Sequence, residues 1–73
     1  MPVQTVKAPM KATVIRFHAE QGAALKNGDR VCDLEAMKME VPVMAPADGT
    51  LKEILASPGQ KLRAGDGLFT LES

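Results

Sequence analysis

The chain reads as short runs of alternating apolar and polar residues broken by turn residues. Pro9, Gly22, Asn27-Gly28-Asp29, Pro46, Asp48-Gly49, Pro58-Gly59 and Gly65-Asp66-Gly67 divide it into pieces of roughly six to ten residues, a spacing that favours all-β structure over helices. The intervening pieces are rich in β-branched residues. Residues 13–17, 31–34, 39–43, 50–55 and 68–71 read as strands, and residues 3–8 as a candidate edge strand. Within 39–43, Met39, Val41 and Val43 fall on one face. Pro42 then needs a position where no ladder hydrogen bond is required.

The pattern repeats. Displaced by 37 positions, Ala8-Pro9 meets Ala45-Pro46, Thr13 meets Thr50, Ala19 meets Ala56 and Gly22 meets Gly59. Leu25 meets Leu62, Gly28-Asp29 meets Gly65-Asp66, and Leu34-Glu35 meets Leu71-Glu72, all without a gap. Where residues differ they are mostly alike, as in Val14 with Leu51, Lys26 with Arg63 and Val31 with Leu68. Each half supplies strands that cannot bury one face alone, so the two halves must close over each other. Matched glycines imply matched turns with positive φ. The expected architecture is a flattened β-sandwich or barrel with quasi-two-fold symmetry, a single domain over residues 1–73.

One stretch conflicts with this reading. Leu34-Glu35-Ala36-Met37-Lys38-Met39-Glu40 consists of good helix formers. Its start aligns with the strand at 68–71, however, and Pro42 disfavours a helix continuing past Val41. The repeat therefore predicts a hairpin, with strands at 31–36 and 39–44 and with Met37 and Lys38 as its turn. No glycine or asparagine eases that turn, and local chemistry that disagrees with the fold marks a functional site. Lys38 lies in the link between the halves. The terminal strand and the Lys38 hairpin are expected at opposite ends of the domain.

Composition narrows the function. With two phenylalanines and no Trp or Tyr, the chain lacks the aromatic walls from which ligand pockets are usually built. Nine basic residues balance nine acidic ones, which argues against nucleic-acid binding. A lone cysteine, Cys32, points to a reducing, cytoplasmic setting rather than a disulfide-stapled secreted one. No run is apolar or long enough for a signal peptide or a transmembrane helix. Met1 suits a natural start, and the chain suits equally well a domain of a longer subunit. Cys32 meets Phe69 across the repeat, so a buried structural cysteine is expected. His18 is the only histidine and has no Cys/His cluster around it to hold a metal; a surface or strand-edge position is expected. Asp29, Asp48 and Asp66 adjoin glycines and read as turn residues.

Glu35-Ala36-Met37-Lys38-Met39-Glu40 resembles the biotin-attachment signature of biotinyl domains, as in biotin carboxyl carrier proteins. Ala8-Pro9-Met10 resembles the opening motif of that family, and Ala45-Pro46 with Asp48-Gly49-Thr50 resembles the motif downstream of its lysine. The resemblance runs from about Val6 to Leu71. Lys11-Ala12 departs from it, standing where many relatives carry a glycine before the threonine. It implies a barrel-sandwich hybrid of two four-stranded sheets with the target lysine at a hairpin tip. No inserted "thumb" is expected between Phe17 and Gly22.

The resemblance further implies that a biotin protein ligase joins biotin covalently to Lys38. A biotin carboxylase would then carboxylate the carried group, and a carboxyltransferase would pass the carboxyl to an acceptor such as an acyl-CoA, with fatty acid biosynthesis among the settings. The domain itself would not be an enzyme. The residues suit that task. Lysine offers a nucleophile on a long flexible stem, and a carried cofactor brings the chemistry with it. The sequence offers no general base for the amine, which leaves that role to the ligase.

Met37 and Met39 either present Lys38 to the ligase and pack near biotin, or turn inward as core. Glu35 and Glu40, with Ala36 between the first of them and the tip, are candidate ligase-recognition residues or ordinary solvated charges, and the two glutamates should face each other across the hairpin stem. Met10 is expected to pack or to line the loop near its own strand rather than to touch biotin. A lipoyl domain of a 2-oxo acid dehydrogenase-type complex is the nearest alternative, but such domains usually place an acidic residue where Met37 stands. An unmodified barrel-sandwich interaction module would need long helical arms, which this sequence does not contain.

Overall fold

Alternation, turn spacing and the internal repeat all resolve into strands. The structure, a computed structural model, describes residues 2–73. Eight strands follow in order: β1 (Val3–Lys7), β2 (Ala12–Phe17), β3 (Ala24–Leu25), β4 (Arg30–Ala36), β5 (Met39–Met44), β6 (Gly49–Ile54), β7 (Lys61–Leu62) and β8 (Gly67–Glu72). They form two four-stranded antiparallel sheets, ordered β1-β8-β6-β3 and β5-β4-β2-β7. The six longer strands match the sequence reading within one or two residues. The two-residue strands β3 and β7 were not foreseen, because pairing with β6 and β2 creates them and two residues carry no periodicity.

The repeat is the symmetry of the fold. Advancing each strand of the β5-β4-β2-β7 sheet by half the chain yields the β1-β8-β6-β3 sheet in the same order. The details repeat as well. Ladder irregularities fall at Val14/Arg16 in β2 and at Leu51/Glu53 in β6. Val14 N donates to Gln60 O and Leu51 N donates to Ala23 O, both at 2.9 Å. Gly28 and Gly65 take φ of 92° and 93°, a backbone conformation that side chains resist. Beside each, an aspartate carboxylate caps the turn: Lys26 N donates to Asp29 Oδ2 and Arg63 N to Asp66 Oδ2, both at 2.9 Å. Asp48 differs, accepting from Asn27 N at 2.8 Å and so tying two loops together across the chain.

The two halves meet in one core. Val14 with Leu51, Val31 with Leu68, Cys32 with Phe69 and Leu34 with Leu71 are matched pairs, and all eight side chains are fully buried. Burying an aliphatic side chain of this size contributes about 1.5–3 kcal/mol, and neither sheet could cover its inner face alone. Only residues 18–23 connect β2 to β3, so no thumb projects there.

β5 is an edge strand, which accommodates Pro42. In a two-residue hairpin the closing pair, here Ala36 and Met39, is hydrogen-bonded, and the pairs alternate from it. Pro42 opposite Asp33 is then a non-hydrogen-bonded pair. Its missing N–H points away from the ladder.

Candidate functional site

Pairing of β4 with β5 in the register Ala36↔Met39, Glu35↔Glu40, Leu34↔Val41 leaves Met37 and Lys38 as a two-residue turn. A loop this short follows the twist of its strands in a type I′ or II′ turn, and type I′ requires positive φ at both central residues. Met37 and Lys38 take φ of 52° and 63° and are the only non-glycine residues with positive φ among those described. Local preference favours a helix here; cross-strand pairing along β4 and β5 overrides it.

The turn holds Lys38 clear of the body. Its side chain is exposed and makes no hydrogen bond or ion pair among the described residues. Met37 is 92% exposed and Met39 68% exposed, so neither fills the core and the inward alternative for both is excluded. Ala36 is buried at the base of the turn. Met10, 38% exposed, lies in the loop before β2, beside its own strand. It faces a groove of about 570 Å³ that Ala12, Lys11, Lys61 and Leu62 also line and that Lys38 borders.

Glu35 and Glu40 do sit opposite each other, where two like charges repel. The structure separates their roles. Glu40 Oε1 accepts from Arg30 Nη2 at 2.8 Å and from Arg16 Nη1 at 3.3 Å. Glu35 has no side-chain partner among the described residues and stands at the rim of the groove. Glu40 is thus tied into the sheet and Glu35 is free to contact a partner.

Those two arginines belong to a cluster that strand alternation did not reveal. Asp33 in the centre of β4 has no exposed surface. Its Oδ1 accepts from Arg30 Nε at 2.6 Å; Oδ2 accepts from Arg16 and lies 2.8 Å from His18 Nε2. Burial pushes the Asp33 carboxyl up, but the hydrogen bonds from Arg30, His18 and Arg16 outweigh it and hold the group down at about 2. His18 lies at the surface just past the end of β2, as expected, and its ring is engaged by Asp33. The repeat held a signal: Asp33 aligns with Thr70, the other buried polar residue, whose hydroxyl accepts from Glu53 N at 3.0 Å. The second half fills this position with a neutral hydroxyl, and the first fills it with a charge beneath two guanidinium groups. Cys32 beside it is fully buried, and burial, helped by the Asp33 charge, pushes its thiol up to about 12, so it is not a nucleophile in the folded protein. Among the described residues, no cluster of His, Cys, Asp and Glu could hold a metal.

Comparison with known proteins agrees with this geometry. The family model described as "Biotin-requiring enzyme" matches residues 4–71. The chain is 40% identical over 67 residues to pyruvate carboxylase of Bacillus subtilis, a match that covers 92% of the chain but 6% of that protein. It is 33% identical over 69 residues to the biotin/lipoyl attachment protein of the same organism, covering 94% of each. Among solved structures, the lipoyl domain of the 2-oxoglutarate dehydrogenase complex from Azotobacter vinelandii superposes with a TM-score of 0.82 at 31% identity, covering 94% of this chain and 95% of that one.

Proposed function

The chain belongs to the biotinyl/lipoyl attachment family, and from that membership we propose that it is a biotin carrier in which Lys38 is the attachment residue. The observation that carries this reading is an unpartnered, exposed lysine held on a two-residue turn between two exposed methionines. Such a site needs no pocket to bind its cofactor, because the bond is an amide to Nζ. The residues present fit that requirement: nothing competes for the amine, and open space surrounds it. When attached, biotin supplies a ureido ring that accepts and releases a carboxyl group.

The protein's own residues do the rest. The hairpin fixes the base of the lysine stem, while the stem itself stays free to swing. The paired sheets form a rigid mount, and tethering turns successive encounters with a biotin carboxylase and a carboxyltransferase into local ones. Met37 and Met39 present a soft apolar flank to a biotin protein ligase, and Glu35 is the free carboxylate that the ligase would meet beside them.

The lipoyl reading has one observation in its favour, the close superposition on a lipoyl domain. Against it, Met37 stands where an acidic residue would be expected. Intact mass after co-expression with a biotin protein ligase, with a Lys38→Arg control, separates the two. A biotin-sized increment that vanishes in the control supports the proposal, and a lipoyl-sized increment transfers the chain to the other class. A folded protein that gains no mass beside active ligase refutes carriage.

A further inference from the structure

The groove beside Lys38 has a floor that belongs to the core and exposed walls that the fold does not need. Under the internal symmetry, Met10, Lys11 and Lys61 correspond to Ala47, Asp48 and Ala24. The equivalent loop in the other half thus makes the same turn with a small apolar residue and an acid, and its strand with an alanine. Leu62, the floor of the groove, is matched by Leu25, and both are buried. The backbone and floor are symmetric, whereas the thioether wall and the two ammonium groups occur only at the Lys38 end. Asp48 has structural work in its loop, bonding Asn27 N. Lys11 and Lys61 form no ion pair among the described residues. Both are exposed and both line the groove.

We propose that this groove is a docking site for the ring of the group carried on Lys38. This rests on the carrier reading above. The apolar part of the ring would lie against Met10, Ala12 and Leu62, and the ring carbonyl would accept hydrogen bonds from Lys11 and Lys61. Glu35 adds one carboxylate to the rim, so the rim outside Lys38 is cationic by one charge. That balance favours an acceptor oxygen, and favours it further when the ring carries a carboxylate. A volume of about 570 Å³ lies within the range of small-molecule sites. The groove is open, and the ring must leave it to reach an enzyme, so docking must be weak. Tethering makes weak docking sufficient: at an effective concentration on the order of 1 mM, a site of comparable dissociation constant is about half occupied.

The test uses the full chain with labelled methionine methyl groups, before and after biotinylation, with intact mass recording the modification of each sample. Docking predicts that the Met10 methyl resonance shifts on modification and shows cross-relaxation to ring protons, while Met44, 45% exposed on β5, stays unchanged. In the modified Lys11→Glu/Lys61→Glu variant, both positions being exposed, the docked fraction should fall from about half to about a tenth, as expected for roughly tenfold weaker binding. A fully modified protein whose Met10 signal is unchanged overturns the docking proposal and leaves carriage standing. A signal indifferent to the double charge reversal overturns the role of the lysines. Absence of any mass increment overturns carriage and docking together.

Discussion

Replacing Met37-Lys38 by Asn-Gly should make the protein more stable while removing the proposed attachment residue. Both residues occupy the left-handed region, at φ of 52° and 63°, where a Cβ costs about 1 kcal/mol per residue. Asparagine tolerates that region better than methionine, and glycine enters it without a steric penalty. The glycine also gives the unfolded chain more freedom, which offsets about 0.4–1 kcal/mol. No packing is lost, because Met37 is 92% exposed and Lys38 touches no partner. The net gain is about 1 kcal/mol. For 73 residues the unfolding entropy is about 0.15 kcal/mol/K, so Tm should rise by about 6 °C. Calorimetry of the unmodified proteins measures this, with urea titration as a second route. Lys38→Arg, which keeps the same backbone requirement, should leave Tm unchanged. A double variant with Ala36 still paired to Met39 but a Tm equal to or below the parent would refute the argument that the turn is strained. The helix-forming composition of the tip would then carry no energetic meaning.

Three further outcomes follow from the structure. Asp33→Asn should destabilise the protein at neutral pH by roughly 2–3 kcal/mol, since it leaves Arg16 and Arg30 facing a neutral amide; half-exposed arginines keep the loss below that of a deeply buried pair. Asp33 is held at about 2 in the folded protein against about 3.9 unfolded, so its contribution is present above pH 4 and lost as pH falls through 2; parent and variant stabilities should therefore converge in acid. Gly49→Ala should destabilise by about 1–3 kcal/mol, because the new Cβ would stand 2.5 Å from the Glu72 carbonyl oxygen and the obstacle is backbone; chemical denaturation of the variant measures it. Cys32, with its thiol pushed up to about 12 and no exposed surface, should resist a thiol reagent at pH 8 in the native state and react promptly in urea, and rapid native labelling would contradict the burial.

Much of the fold was legible because its information is local or periodic. Alternation marked the longer strands, turn residues bounded them, and the gapless repeat carried the symmetry, the matched core pairs and the positive-φ glycines. The repeat also placed Lys38 in a hairpin against the helical preference of its neighbours. What the tertiary structure decided lies in contacts between residues far apart in the chain. Pairing across two strands, not composition, forces Met37 and Lys38 into the left-handed region. Arg16 meets Asp33 and Glu40 from separate strands, so no window of sequence could divide the two glutamates into one tied and one free. β3 and β7 exist only through their partners. The groove beside Lys38 joins a loop near residue 10, the hairpin tip and β7, three segments that only closure of the two halves brings together.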